Sequence, residues 1–362
     1  MKKLFFVAGG TGGHIFPAIS LGQWIEEREM KNVKIEYICG SRPLEWEIFS
    51  QNNIAPTVLP IEGSPLGILK AGKVIRRLGS LFSAFLQSVS LIREDRPDVC
   101  VLFGGYVSFP PMLACLLHRI PLVIHEQNSV AGKVTRLAKK FGIPVLSGWQ
   151  ECRPLEKGQF NYVGIPIRKF KKVDRIEAWG KLYTGVDFPK GAIVGVLSGS
   201  LTSSPLFKTI CELASAPDLK NVTFLVVGGK GRCPDINTLI AVERQWDMSI
   251  IYSVVDAVIA RAGASTLSEL MVLNIPSLIV PWRGASDGHQ VRNAVLFEKE
   301  TMGNFVWDEQ ASVFELKHHL IDCVSKVDNG TKLDERSQRG FEDRSCERIW
   351  DVLISLMRRE SL

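Results

Sequence analysis

Short apolar segments recur along this 362-residue chain and alternate with helix-length amphipathic stretches. Strands that alternate with helices pair in parallel, because each helix carries the chain back across one face of the sheet. Both faces are then covered, which requires strands that are apolar throughout. The fold class predicted here is therefore α/β, with doubly wound Rossmann-like sheets. The predicted strands are 3–8, 33–38, 99–103, 122–125, 192–197, 222–227, 257–260 and 277–280.

The chain is long enough for two domains, at roughly 150 residues per domain. The strand and helix pattern is interrupted over 158–174, a stretch with glycine, proline and several basic residues, and restarts at Ala192. We predict an N-terminal domain over 1–163 and a C-terminal domain over 164–340. The helical spacing of apolar residues near the end predicts a closing helix over 341–362 that joins the first domain.

The composition is that of an ordinary globular protein, with 46% hydrophobic and 23% charged residues. These values exclude a disordered or collagen-like chain. The eight cysteines are far apart and include no CxxC pair, and a glycine-rich loop from Gly9 replaces the apolar core of a signal peptide. We expect a reduced, cytosolic protein.

The net charge of +6 is confined to one half of the chain. Residues 1–163 contain 19 Lys and Arg against 13 Asp and Glu, whereas 164–362 contain 25 of each. A basic N-terminal half predicts an anionic partner, either a phosphorylated substrate or a membrane surface. Nucleic acid is not expected, because the sequence has no RNP, zinc-finger or basic-zipper pattern.

The uncharged segment Val99 to Leu117 has the length of a membrane span. Two glycines and the pair Pro110-Pro111 divide it. We predict a short strand, a glycine turn and a helix that begins at the prolines, within a soluble domain.

The strongest local signal is the loop Gly9-Gly10-Thr11-Gly12-Gly13-His14, which follows the first predicted strand. Backbone N–H groups at such a helix start bind phosphate, and glycines let an anion approach closely. A dinucleotide fingerprint is absent, since its third glycine would fall on Ile15. A tight turn without a ligand is the alternative to phosphate binding.

This loop and its continuation Ile15-Phe16-Pro17-Ala18 resemble the start of the MurG family, the peptidoglycan N-acetylglucosaminyltransferases that convert lipid I to lipid II. The resemblance implies a GT-B glycosyltransferase fold, in which the first domain binds mainly the lipid acceptor and the second mainly UDP-N-acetylglucosamine. Five further motifs match in order: Phe103-Gly104-Gly105-Tyr106-Val107-Ser108, His125-Glu126-Gln127-Asn128, Val163-Gly164-x-Pro166-x-Arg168, Arg261-x-Gly263-Ala264-x-Thr266-x-Ser268-Glu269 and His289-Gln290-x-x-Asn293-Ala294.

The resemblance also implies which residues bind each substrate. For the acceptor these are Gly10, Gly104, Gly105 and Tyr106. For UDP-N-acetylglucosamine they are Thr11, Gly12, Gly13, Asn128, Arg168, Ser200, Ala264, Ser265, Thr266, Leu267, Ser268, Glu269 and Gln290. Gln290 is expected in a loop, in contact with the transferred sugar.

Three of these assignments have a purely structural alternative. Asn128 could cap a helix that begins near Val130, and Arg168 could be a solvated linker residue. Thr266 and Glu269 have the spacing of a capping box, which would place Glu269 in the first helical turn. In that turn the glutamate could also accept both ribose hydroxyls.

The sequence departs from the family pattern at two loops. Ile165 stands where the family usually has asparagine. Around Ser200, the residues Ser198, Leu201 and Thr202 replace glycine, glutamine and glycine. Fewer glycines restrict the backbone of this loop, from which we expect a lower donor affinity.

The expected chemistry is an inverting transfer without metal or cofactor. The chain has no DxD pair, and Ser129 replaces the second histidine of an HExxH zinc site. Arg168, Ser200 and helix N–H groups would then stabilise the departing UDP. His14 is the predicted base, because histidine changes charge near neutral pH, and His125 remains an alternative.

Membrane contact is predicted for the segment from Gly63 to Arg93, which contains five basic residues and no acid. Each surface cation contributes about 1 kcal/mol on an anionic leaflet. The helical stripe Ile75, Leu78, Phe82, Phe85, Val89 and Ile92 is expected to pack on its own domain. The predicted lipid-facing residues are Leu66, Ile68, Leu69 and Leu81.

We therefore expect a peripheral protein on the cytoplasmic face of the membrane. Its expected partners are UDP-N-acetylglucosamine, lipid I, the anionic membrane surface and cell-wall synthesis proteins. Two alternatives remain: a UDP-sugar transferase with another lipid acceptor, and a non-catalytic membrane-surface protein of the same fold.

Overall fold

The computed structural model describes residues 1–29, 32–63, 71–197, 204–301, 305–308, 312–327 and 335–359. They form two compact units, Met1–Arg168 with Arg339–Leu362, and Lys169–Gln338. Each unit contains one parallel sheet with helical crossovers, which confirms the predicted α/β fold class.

The first unit has a seven-stranded parallel sheet in the order β3-β2-β1-β4-β5-β6-β7. Its elements are β1 (Lys2–Val7), α1 (Gly12–Glu29), β2 (Val33–Cys39), α2 (Pro43–Gln51), β3 (Thr57–Val58), α3 (Ala71–Glu94), β4 (Val99–Leu102), α4 (Phe109–Leu117), β5 (Leu122–Glu126), α5 (Lys133–Lys140), β6 (Val145–Ser147) and β7 (Asn161–Tyr162).

The second unit has a six-stranded parallel sheet in the order β10-β9-β8-β11-β12-β13. Its elements are α6 (Arg175–Lys181), β8 (Ala192–Leu197), α7 (Ser204–Ala214), β9 (Val222–Val227), β10 (Leu239–Val242), α8 (Met248–Val254), β11 (Ala257–Ala260), α9 (Ala264–Leu273), β12 (Ser277–Ile279), α10 (His289–Glu300), β13 (Phe305–Val306) and α11 (Val313–Val327).

The strand order reverses direction between β1 and β4 in the first unit, and between β8 and β11 in the second. At such a switch point the adjacent loops leave toward opposite faces, and a crevice opens at the carboxyl ends of the strands. The Gly9–His14 and Gly104–Tyr106 loops follow β1 and β4, respectively. The fold thus places both glycine motifs of the first unit at its natural ligand position.

The uncharged segment Val99 to Leu117 folds as predicted. It forms β4, a 3₁₀ turn at Tyr106–Ser108 and α4, with prolines in the first turn of α4 where their missing N–H groups cost nothing. Within the described part of the chain, no helix is long and apolar enough to cross a membrane.

The last helix, α12 (Glu335–Arg359), buries the predicted apolar residues. From Arg339 onward it belongs to the first unit. The buried side chains are those of Cys346, Ile349, Trp350, Leu353 and Met357.

Helix α3 corrects the prediction that its whole apolar stripe packs inward. Three residues of the stripe are exposed, Ile75 by 70%, Leu78 by 52% and Phe82 by 63%, and Leu86, which is not part of the stripe, is exposed by 50%. We call these four residues the α3 apolar patch. At about 100° of rotation per residue, these four side chains lie on one helical face. The centre of this face is about 100° around the helix from the centre of the face that contacts the core.

The core-facing side of α3 carries Val89 and Ile92, which are buried, and also Leu81 and Phe85. Leu81 packs against the core of the first unit, so its prediction as a lipid-facing residue is wrong. The physical reason is that α3 packs against α4, which covers this side. The remaining lipid-facing predictions, Leu66, Ile68 and Leu69, lie outside the described residues.

Candidate functional site

The loop after β1 has the geometry of an anion-binding turn. Gly10 has φ of 91°, a left-handed conformation that favours glycine, and α1 begins directly afterwards at Gly12. Thr11, Gly12 and Gly13 therefore form the start of α1, where the N–H groups have no acceptor within the helix. His14 lies in the first turn and is half-buried.

The β4 loop packs directly against this turn. Gly104 and Gly105 have φ of 84° and 73°. A Cβ atom on Gly105 would lie 3.1 Å from the carbonyl oxygen of Gly9 and 3.4 Å from the His14 ring. The structure thus brings together Gly10, His14, Gly104 and Gly105.

A buried glutamate that the sequence analysis missed joins the loops. Glu45 in α2 is fully buried; its carboxylate accepts from the Gly40 N–H at 2.6 Å and from the Tyr106 hydroxyl at 2.5 Å. A Cβ atom on Gly9 would lie 2.5 Å from the same carboxylate. Burial and the bond to Glu45 raise the pKa of Tyr106, so its hydroxyl stays protonated and donates.

We expect Glu45→Ala to lower the free energy of unfolding by about 3 kcal/mol, because it leaves the Gly40 N–H and the Tyr106 hydroxyl without their acceptor in a buried site. Chemical denaturation measures this change. The matched control is Glu62→Ala, which removes an exposed carboxylate from the same unit and should change stability by less than about 0.5 kcal/mol. Equal effects of the two variants would contradict the bracing role.

A chain of hydrogen bonds runs inward from His14. Its Nδ1 lies 2.7 Å from Oε1 of Gln127, and Nε2 of Gln127 lies 2.9 Å from Nδ1 of His125. The His125 Nε2 lies 2.8 Å from the Gly164 carbonyl oxygen. His125 is fully buried and both ring nitrogens are engaged, so its prediction as the alternative base is wrong.

Asn128 is positioned by Glu126, a nearly buried carboxylate at the end of β5. Glu126 accepts from the main-chain and side-chain nitrogens of Asn128, from the Gly132 N–H and from the Thr135 hydroxyl. The next helix, α5, begins at Lys133 with Gly132 as its N-cap. Asn128 therefore does not cap it, and the structural alternative for this residue is wrong.

Arg168 is the last residue of the first unit before the chain enters the second, and its side chain is partly buried rather than fully solvated. Its guanidinium carbon lies 4.1 Å from the ring centroid of Phe16, in the first part of α1. Stacking on an aromatic ring restricts the orientation of the guanidinium. Ser200 lies outside the described residues.

In the second unit, α9 begins earlier than a capping box would place it. Its N-cap is Gly263, so Ala264, Ser265 and Thr266 form the first turn, followed by Leu267 and Ser268. Glu269 is consequently in the second turn, and the capping-box interpretation is wrong. Its carboxylate is buried and accepts from the Tyr252 hydroxyl at 2.7 Å.

His289 and Gln290 are the first residues of α10, where the sequence analysis expected a loop. The change follows from Gly288, which adopts φ of 64° and lets the chain turn directly into the helix. Oε1 of Gln290 accepts from the Trp282 N–H at 2.9 Å, which orients Nε2 as a donor away from that contact. Asn293, fully buried, donates to the Ala262 carbonyl and braces the start of α9.

Among the residues that the structure describes, no group of three His, Cys, Asp or Glu side chains is close enough to hold a metal ion.

Comparison with known families agrees with both units. Residues 4–145 match the glycosyltransferase family 28 N-terminal domain, and residues 193–346 match the family 28 C-terminal domain.

Two curated relatives carry the same name, UDP-N-acetylglucosamine--N-acetylmuramyl-(pentapeptide) pyrophosphoryl-undecaprenol N-acetylglucosamine transferase. The one from Thermosipho africanus is 27% identical over 332 residues, which cover 91% of this chain and 94% of the relative. The one from Protochlamydia amoebophila is 29% identical over 369 residues, with 97% and 96% coverage.

Solved structures agree on the fold. Acinetobacter baumannii MurG has a TM-score of 0.62 at 20% identity, with 95% of this chain and 99% of that chain covered. The calicheamicin glycosyltransferase CalG4 has a TM-score of 0.62 at 13% identity and covers 100% of both chains.

Proposed function

Because this chain belongs to the MurG family within glycosyltransferase family 28, we propose that it transfers N-acetylglucosamine from UDP-N-acetylglucosamine to lipid I and so forms lipid II. The similarity to relatives of this name extends over nearly the whole chain. The structural observation that carries the proposal is the contact between the β1 and β4 glycine loops around His14.

We assign the acceptor to the loops of the first unit. Gly10, Gly104 and Gly105 all have positive φ and surround the half-buried His14 ring. Tyr106 is fixed by Glu45, so its ring presents a rigid wall beside Gly10, whose Cβ position lies 3.5 Å from it. A rigid, small-residue loop suits a bulky glycolipid headgroup, because the backbone itself can approach the ligand.

We assign the donor to residues of each unit separately. In the first unit these are Thr11, Gly12 and Gly13 at the start of α1, Asn128 held by Glu126, and Arg168 stacked on Phe16. N–H groups and a guanidinium are the groups that bind a diphosphate without a metal.

In the second unit, the donor site is assigned to the first turns of α9 and α10. The N–H groups of Ala264, Ser265 and Thr266 and the positive end of the α9 dipole suit phosphate. The same segment includes Leu267, Ser268 and Glu269, with Glu269 assigned to the ribose hydroxyls. Gln290 is assigned to the transferred sugar through its oriented amide, and Ser200 to the donor phosphate.

The reaction is an inverting displacement. The 4-hydroxyl oxygen of the muramoyl sugar forms a bond to the anomeric carbon of N-acetylglucosamine, and the bond from that carbon to the UDP oxygen breaks. The hydroxyl proton passes to the His14 imidazole. UDP carries away the electron pair, and its negative charge is stabilised by Arg168 and by helix N–H groups.

The α3 apolar patch supports peripheral binding to the cytoplasmic face of a membrane. It is flanked on the same helix by Lys73, Arg76, Arg77 and Arg93, which suit anionic headgroups. Apolar side chains that are already exposed gain free energy when lipid covers them. Cell-wall synthesis proteins are further expected partners.

The test of the function is acceptor-dependent release of UDP. We expect release from UDP-N-acetylglucosamine only when a soluble lipid I analogue is added, and an unchanged rate with a metal chelator. Loss of turnover with the chelator would contradict the metal-independent mechanism. Activity with another lipid-linked acceptor but not with the lipid I analogue would favour the alternative transferase. No release with any acceptor would favour a non-catalytic protein.

A further inference from the structure

The hydrogen bonds that connect Gly164 to His14 determine where the protons lie. Two of the groups in this network are the backbone carbonyl oxygens of Gly164 and His125, and a carbonyl oxygen can only accept. Each of them fixes the atom that faces it as a donor. The positions of the remaining protons then follow one after another.

The first carbonyl fixes the tautomer of His125. Its Nε2 lies 2.8 Å from the Gly164 oxygen and must carry a proton. Burial lowers the pKa of His125 to about 4, against the opposing effects of the Gly164 bond and of Glu126, whereas His14 lowers it further. His125 is therefore neutral near pH 7, and its Nδ1 has a lone pair.

The second carbonyl fixes the amide of Gln127. The atom of this amide that lies 3.0 Å from the His125 carbonyl oxygen must be the NH₂ group. The same NH₂ donates to the lone pair of His125 Nδ1 at 2.9 Å. Oε1 of Gln127 consequently faces His14 at 2.7 Å as an acceptor, so Nδ1 of neutral His14 must carry the proton.

From this geometry we infer that Gln127 is a positioning residue that holds neutral His14 in its Nδ1–H tautomer and leaves the lone pair of Nε2 to receive the proton of the attacking hydroxyl. The inference rests on the proposed function for the identity of that hydroxyl, but the proton positions stand without it. In serine proteases a carboxylate orients the histidine in the same manner. Here the orienting group is a neutral amide.

The surroundings make this chain rigid. Gln127 is 1% exposed, and its main-chain carbonyl accepts from the Trp149 indole at 2.9 Å. Gly164 has φ of 87°, and a Cβ atom there would overlap with the side chain of Ser345 on α12. A buried network in which every member is satisfied fixes one arrangement, because any other would leave polar groups unpaired.

The neutral amide also has a chemical consequence. A carboxylate at position 127 would place one oxygen against His14 and the other against His125. Because the second oxygen would face the lone pair of His125 Nδ1, an additional proton would have to be taken up in a buried site. The amide provides one acceptor and one donor, which match the two rings without a net charge. Two residues of the motif His125-Glu126-Gln127-Asn128 therefore have positioning roles. Glu126 positions Asn128, and Gln127 positions His14.

The direct test measures proton positions in the full-length protein. Ring ¹⁵N chemical shifts are recorded by NMR on histidine-labelled protein at mildly alkaline pH, and the His14 signals are identified by their loss in His14→Asn. We expect Nδ1–H for His14 and Nε2–H for His125. An Nε2–H tautomer or a mixture of tautomers for His14 would overturn the inference, whether or not the protein transfers sugar.

The kinetic test uses Gln127→Met, which keeps the shape of the side chain and removes both hydrogen-bonding groups. We expect kcat to fall roughly 10- to 100-fold, with the KM for UDP-N-acetylglucosamine within about twofold, and His14 to lose its Nδ1–H preference. The control Gln159→Met changes an exposed glutamine of the same unit and should have no effect on either measurement.

The two readouts separate the possible failures. Unchanged kcat in Gln127→Met, with the melting temperature preserved, would overturn the positioning role even if the tautomer is as expected. If wild-type protein shows the expected tautomers but releases no UDP, the proposed function fails and the proton positions stand. If Gln127→Met does not fold, the wild-type tautomers still decide the inference.

Discussion

Replacing His14 with alanine is expected to lower kcat roughly 10²- to 10⁴-fold, which is the contribution of a general base. The half-buried ring lies in the first turn of α1 between the two glycine loops, and within the described part of the chain its hydrogen bond is to Gln127. The KM for UDP-N-acetylglucosamine should stay within about twofold, because the diphosphate is assigned to N–H groups and Arg168. Steady-state rates of UDP release with a lipid I analogue measure both constants.

The control for this variant is His318→Ala, which removes an exposed histidine on α11 and should leave kcat unchanged. Thermal unfolding of both variants separates catalysis from folding. Near-normal turnover of His14→Ala with donor binding retained would remove the base assignment. A raised KM for the acceptor with normal kcat would instead make His14 a residue that orients the substrate.

The second large effect is expected at the membrane. Simultaneous Ile75→Ser, Leu78→Ser and Phe82→Ser substitutions should weaken binding to anionic vesicles at least about 100-fold. Full burial of each such side chain contributes about 1.5–3 kcal/mol, so even partial immersion of three gives this difference. The three side chains are exposed, so the free energy of unfolding should change little. Vesicle co-sedimentation and chemical denaturation measure the two quantities.

The matched control is Phe314→Ser on α11, an equally exposed aromatic residue outside the α3 apolar patch. This variant should bind vesicles like the wild type. The triple variant should also keep its rate with a soluble acceptor, because none of the substituted residues is assigned to either substrate. Wild-type binding that does not depend on anionic lipid would contradict the role of the basic residues around the patch.

The longer strands could be predicted from sequence, whereas most of the shortest could not. All eight predicted strands correspond to strands in the two sheets. Five strands were missed: β3, β7 and β13 have two residues each, β6 has three and β10 has four. Segments this short have no measurable periodicity, and their pairing depends on the neighbouring strand rather than on their own side chains.

The glycine loops and His14 were predictable because the β1 loop has a dense local pattern. Glu45 and Gln127 were missed because each acts through contacts with residues distant in sequence. Glu45 did leave a signal, since it shares the buried face of α2 with Ile48 and Phe49 at helical spacing. A carboxylate on an apolar helix face has to be paired, and this rule would have identified it.

The exposed face of α3 shows a second limit of sequence patterns. Apolar residues at spacings of three and four extend over two adjacent faces of that helix, and packing against α4 covers one of them. The pattern therefore predicts an amphipathic helix correctly but does not distinguish its core side from its exposed side.

The first unit is discontinuous in sequence, and this affects its biosynthesis. On the ribosome, Arg339–Leu362 emerges only after the entire second unit, which can fold while the first still lacks α12. Until then the nascent protein leaves uncovered the apolar surface that Ile349 and Leu353 later bury. Ser345 is also absent at that stage, so the Gly164 backbone, whose carbonyl accepts from His125, gains this neighbour only after α12 has been translated.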